Sequence, residues 1–171
     1  MVYQNRKRVL VCTKDSWDSL FDDCVSINDE VMAKEIEARN EEDWWEAFIL
    51  QFSFLEDYIR SSISNFGKKL GLDKKTLKEV VGEQSVARLI SYFNIICISF
   101  IKDKSKKDFQ KLVLCLREHN LFRNDILHNC ANPKKFRGVI HIEQTLVEAY
   151  HEGEEILELF TKIKIQRVKK D

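Results

Sequence analysis

Proline is nearly absent from this chain: Pro133 stands alone among 171 residues, with only five scattered glycines. So few breakers exclude collagen-like and Pro/Gly-rich low-complexity chains and leave room for long helices. Long apolar runs are missing too. The most apolar stretch, Leu89 to Ile101, is interrupted by Ser91, Asn94 and Ser99 and is too short to cross a bilayer, which predicts a buried helix and no membrane partner. Net charge is absent: 28 basic and 28 acidic residues cancel, so no global field draws the protein onto nucleic acid or an anionic membrane. Cys12, Cys24, Cys97, Cys115 and Cys130 are odd in number and widely spaced, which fits reduced thiols in apolar surroundings better than a disulfide framework. The opening residues carry basic side chains followed by too few apolar ones for a secretory signal, and the expected location is the cytoplasm. No glycine-rich loop or nucleophile elbow supports a serine or cysteine hydrolase.

What is present is charge segregation and helical periodicity. Acidic residues dominate positions 15 to 46, whereas Lys and Arg cluster at 102 to 107, at 134 to 137 and near the end. Positions 15 to 38 place Trp17, Leu20, Phe21, Cys24 and Val31 at helical spacing, with Asn28-Asp29 as a point where the element can divide. From Trp44 to Leu70 an apolar stripe including Phe48, Phe52, Leu55, Ile59, Ile63 and Phe66 predicts one long helix, with Gly71 as its stop. Glu56 lies within about 40° of Phe52 on that wheel, and a carboxylate on the buried side needs a cationic or donor partner. Asp73 and Ser85 are placed to cap a short helix ending near Gly82 and a longer one reaching about Ile101. The second of these is apolar on nearly all sides and is expected at the centre of the molecule. Further helices are expected from about Asp108 to Asn129 and from Val139 to Arg167, separated by Asn132-Pro133 and a loop carrying Lys134, Lys135 and Arg137. Together they predict an all-α bundle of four to five long helices: an acidic N-terminal helical extension over 1–43 and a helical domain over 44–171, forming one compact unit.

The run Phe122-Arg123-Asn124-Asp125-Ile126-Leu127-His128 breaks the amphipathic logic of its helix. With Leu116 at zero, Phe109, Leu112, Leu127 and Cys130 lie within about 40° of it and form the core stripe. Arg123 falls at about −20°, inside that stripe, while Asn124 and His128 lie along one edge at about 80° and 120°. Leu121 and Phe122 point outward. Two arrangements accommodate this inversion: a helix break near Asn120, or a second subunit that buries Leu121 and Phe122. Five positions separate Arg123 from His128 by about 140°, so one helix does not bring them together by itself.

The R-N-D-I-L-H run, with a polar residue directly after the arginine and late in a chain of long helices, resembles the R-x4-6-H signature of the HEPN superfamily over roughly residues 44 to 167. The resemblance implies a metal-independent endoribonuclease without cofactor, usually a homodimer with a composite active site, of toxin–antitoxin or phage-defence settings. Arg123 and His128 then form the catalytic pair, with Asn124 beside them. RNA supplies its own nucleophile, the 2′-hydroxyl. Cleavage therefore needs a group that exchanges protons near neutral pH and a cation for the charge on phosphorus, roles that suit His128 and Arg123. Lys134, Lys135 and Arg137 are the candidate RNA-backbone contacts. In relatives controlled by a nucleotidyltransferase a tyrosine stands two residues after the histidine; Cys130 occupies that position here, which leaves other antitoxins as the possible protein partners.

Blander assignments compete at several positions. Cys115 and His119 have metal-ligand spacing, but Cys115 sits in an apolar run and no paired-cysteine motif supports a metal site. His141 and His151 suit surface or capping roles, and Tyr92 and Trp44 suit core packing more than base stacking. The main alternative to a ribonuclease is an inactive HEPN-like module that binds RNA, a nucleotide or a protein partner through Arg123.

Overall fold

The computed structural model describes residues 25–130 and 142–166, with the backbone only at 25–30, 128–130 and 142–145. Six α-helices account for most of these: α1 (Val25–Asn40), α2 (Trp44–Lys69), α3 (Lys74–Val81), α4 (Val86–Cys97), α5 (Lys106–Cys130) and α6 (Ile142–Lys162). The fold is an all-α bundle, and no helix among the described residues is long and apolar enough to cross a membrane.

The helix boundaries follow from side chains that satisfy terminal backbone groups. Asp43 accepts from Glu46 N at 3.0 Å, Asp73 from Lys75 N and Thr76 N at 2.8 and 2.9 Å, and Ser85 from Arg88 N at 3.4 Å. At the end of α2, Leu72 N reaches Gly67 O and Gly71 N reaches Lys68 O, both at 3.0 Å. This Schellman geometry needs a left-handed residue, and Gly71 supplies it at φ 82°. The same pair of bonds ends α1, with Asp43 N to Ala38 O and Glu42 N to Arg39 O, but there Glu42 adopts φ 60° without glycine's freedom.

Helix α2 is the hub, packing against α1, α3, α4 and α6. The central position expected for α4 is therefore corrected: α4 lies against α2 and α5, with Ile95 68% exposed on its outer side. The main core joins Leu55, Ile59 and Phe66 of α2 to Phe93 of α4, Phe109 of α5 and Phe160 of α6. Helix α4 ends at Cys97 and passes into a 3-10 turn, Ile98–Phe100. Helix α6 stops at Lys162 rather than near Arg167, because the chain beyond it pairs with that turn: Lys102 N donates to Lys164 O at 3.0 Å and Gln166 N to Phe100 O at 2.7 Å. The resulting Ile101–Ile165 contact is an isolated bridge.

The buried-side carboxylate of α2 has its cation. Glu56 accepts from Arg60 Nε and Nη2 at 3.0 and 2.6 Å, and Arg60 Nη1 donates to the carbonyls of Val81 and Gly82, tying α2 to the end of α3. The described part of the acidic extension is packed into the bundle. Helix α1, which Asn28-Asp29 does not divide, buries Ala38 beside Ala47 and Tyr150, and its Glu35 accepts a hydrogen bond from the Tyr150 hydroxyl across to α6. Burial, and then this hydrogen bond to Glu35, push the Tyr150 hydroxyl well above its ordinary pKa.

Candidate functional site on α5

Helix α5 changes neighbours along its length. Its first half buries Phe109, Leu112, Val113 and Leu116 in the main core. Its second half meets a smaller apolar cluster in which Phe122 and Ile126 pack with Phe48 of α2 and with Leu146 and Ala149 of α6. The helix is continuous through this change, so of the two arrangements the sequence allows, the break near Asn120 does not occur. Phe122 is not outward-facing as expected: its ring meets Phe48 edge-on at 5.7 Å. Leu121 does face outward, at 63% exposure, with Leu114 two turns earlier at 54%.

At the junction of the two clusters, α5 presents polar side chains to aromatic rings. His119 is 1% exposed, stacked on Phe52 at 5.7 Å and 20° and edge-on to Phe48 at 5.4 Å. One turn later the Arg123 guanidinium lies over the same Phe52 ring, 4.9 Å from its centroid. Arg123 Nη1 donates to Asn124 Oδ1 at 3.4 Å. Among the described residues no carboxylate pairs with Arg123, and neither ring nitrogen of His119 nor Oδ1 of buried Asn120 has a hydrogen-bond partner.

The predicted residues are thus brought together only in part. Arg123 and Asn124 are in contact. His128 lies on the last described turn of the same helix, with its side chain outside the described residues, and Lys134, Lys135 and Arg137 lie outside them altogether, as do Pro133 and His141. His119 and Phe52 carry no functional assignment in the sequence beyond metal-ligand spacing with Cys115 and a place in the α2 stripe. Their signal in the sequence was the four-residue step from His119 to Arg123, which places both on one side of α5. The Cys115–His119 pair is held by packing, the thiol against the main core and the imidazole against rings, and among the described residues no three candidate ligands converge on a metal position. Trp44 packs edge-on to Tyr150 at 5.7 Å, Tyr92 packs on the main core, and exposed His151 bonds Glu154 at 3.0 Å.

Burial alone lowers the His119 pKa from its ordinary value of 6.5 to about 4. The unfolded chain then takes up this proton before the folded one does, so stability from this site is full above about pH 6.5 and is lost as pH falls toward 4. At pH 5 the loss is about 2 kcal/mol relative to pH 7.5. His119→Leu should remove that portion of the acid destabilisation, measured by denaturant unfolding at the two pH values. An unchanged difference between them would show that His119 titrates normally.

Beside the aromatic junction the surface is acidic: burial first, and then Glu118 of α5 with Glu155 and Glu148 of α6, hold the Glu152 carboxyl above its ordinary range. Comparison with protein-family models, with curated proteins and with solved structures finds no match to this chain.

Proposed function

We propose that this chain is a metal-independent endoribonuclease of the HEPN type, cleaving RNA by attack of the 2′-hydroxyl on the adjacent phosphorus. The observation that carries this reading is Arg123: a part-buried guanidinium, held on Phe52 and by Asn124, with no carboxylate partner among the described residues. A cation taken partly out of water, with no counter-ion among the described residues, favours an anionic ligand, and its planar fork matches two phosphate oxygens. In the reaction the 2′-oxygen bonds to phosphorus as the bond to the 5′-oxygen breaks. His128 takes the proton from the 2′-hydroxyl and returns it to the departing 5′-oxygen, and Arg123 neutralises the charge gathering on the non-bridging oxygens. The products are a 2′,3′-cyclic phosphate and a 5′-hydroxyl. The acidic surface around Glu152 repels a polyanion, so the substrate approaches from the His128 end of α5, where the Lys134, Lys135 and Arg137 segment follows.

The expected result is cleavage of single-stranded RNA that persists in EDTA and stops when the nucleotide 5′ of the scissile phosphate is 2′-deoxy. Binding of intact RNA without cleavage would instead identify a non-catalytic module. The reading includes a homodimer with a composite site in the cytoplasm, under an antitoxin or other protein regulator. The exposed Leu114 and Leu121 support the dimer, since apolar side chains at this spacing form one stripe on an otherwise charged helix face. Light scattering at micromolar concentration should give twice the chain mass, and Leu114→Glu with Leu121→Glu should give the monomer. A wild-type monomer would remove the composite site from the reading.

A further inference from the structure

The Phe52 ring is 5% exposed and sits on α2, the helix that holds the bundle together. Its plane is fixed from two directions: Phe48 lies 6.4 Å away at 42°, and His119 stacks on it at 5.7 Å and 20°. A ring so enclosed cannot turn to follow a moving guanidinium, so it acts as a fixed surface against which Arg123 comes to rest. The centroid distance of 4.9 Å is inside the range where the ring quadrupole attracts a cation, and partial burial strengthens that attraction.

Among the described residues the other restraint on Arg123 is weak. Its bond to Asn124 is 3.4 Å long, and Asn124 is its neighbour on the same helix, so the amide alone leaves the three-carbon stem free to swing. His119 completes the arrangement from the opposite sense. Held near a pKa of about 4 by burial, it stays uncharged at neutral pH and does not repel the guanidinium one turn away.

We propose that Phe52 is the positioning residue of Arg123, a rigid aromatic platform on α2, stacked on His119, that fixes the direction in which the guanidinium meets a phosphate. The proposal rests on Arg123 being the phosphate-binding group and adds what aims it. Phe52 touches no substrate. Its contribution is made through Arg123, so it should appear in turnover more than in binding.

The test compares Phe52→Leu, which keeps apolar bulk but removes the π face, with Phe52→Tyr, which keeps both. Steady-state cleavage of a single-stranded RNA oligonucleotide by the full chain should show kcat lowered about tenfold in Phe52→Leu, with KM changed less than about threefold. Phe52→Tyr should restore kcat to within about threefold of wild type. In an Arg123→Ala background, Phe52→Leu should have no further effect on kcat. A second readout needs no activity: the Arg123 δ-protons should be shifted upfield by the Phe52 ring current in NMR spectra of the wild type and Phe52→Tyr, and return to ordinary values in Phe52→Leu. If Arg123→Ala cleaves like wild type, the ribonuclease reading fails at Arg123 while the NMR comparison still decides whether Phe52 holds the side chain. If Arg123 is required but folded Phe52→Leu keeps full kcat, or if the ring-current shift is absent from the wild type, the platform is overturned.

Discussion

Arg123→Ala should lower the rate of RNA cleavage by about 10³-fold, the scale set by removing one preorganised group from a developing oxyanion. That loss corresponds to about 4 kcal/mol in the activation barrier. The same truncation should cost only about 1 kcal/mol in folding stability, since the folded protein loses one cation–π contact and a long hydrogen bond. For a chain of this length that is a fall of about 2–4 °C in Tm. The difference between a barrier effect of four and a stability effect of one separates a functional arginine from a structural one. Arg123→Lys keeps the charge but loses the planar fork, so its activity should stay well below wild type. His128→Ala should lower the rate by about 10²–10⁴-fold, and the double variant should be little worse than the poorer single, because groups acting in one transition state are not additive. Assays run in EDTA with product ends identified by mass decide the matter: folded Arg123→Ala and His128→Ala proteins that cleave at the wild-type rate would remove the catalytic pair from the proposal.

How much of this is legible in the sequence follows from how many partners each helix serves. The apolar stripe from Phe48 to Phe66 is regular because α2 faces core along its whole length, and its ends are written in Asp43 and Gly71, whose chemistry acts within a few residues. Asp73 and Ser85 were readable for the same reason. Helix α5 was not, because a single wheel assumes a single partner. It faces the main core at Phe109 to Leu116 and the Phe48–Leu146–Ala149 cluster at Phe122 and Ile126, so its buried face widens with distance along the helix. A wheel centred on Leu116 turns Arg123 inward and sets His119 at about −60°, at the edge of the stripe, yet sends Phe122 to solvent at about −120°. The end of α6 was hidden for a different reason: the pairing of 164–166 with 100–102 joins segments about sixty residues apart, and no local periodicity records it.

Gly153→Ala should destabilise the protein by about 1 kcal/mol net, opposite in sign to the usual effect of alanine in a helix interior. The ordinary gain is about 1 kcal/mol, from better helix propensity. At Gly153 a Cβ would lie 2.5 Å from Gln51 Cδ, and closer still to Gln51 Oε1, so the α2 side chain already occupies the space a methyl needs. Gln51 cannot withdraw cheaply. It is 3% exposed, and its Nε2 donates to Tyr150 O at 3.0 Å, a bond across the α2–α6 seam. Swinging the amide away breaks that bond and leaves a buried polar group unpaired, at about 1–3 kcal/mol; moving the helices apart loosens Phe48, Ala149 and Leu146 at a similar cost. At the middle of that range, about 2 kcal/mol, either cost exceeds the propensity gain, and Tm should fall by about 2–4 °C. Adding Gln51→Ala makes room for the new methyl, so the double variant should be more stable than the sum of the singles by at least about 1 kcal/mol. A stabilised Gly153→Ala protein, or strict additivity with Gln51→Ala, would mean that the seam is looser than the close approach of Gly153 and Gln51 indicates. A tight seam also bears on the site, because Phe48 and Phe52 reach α5 from the helix that Gly153 lets α6 approach: displacing α2 moves the ring on which Arg123 rests. Gly153→Ala should therefore lower RNA cleavage as well as stability, and restoring the seam with Gln51→Ala should recover both together.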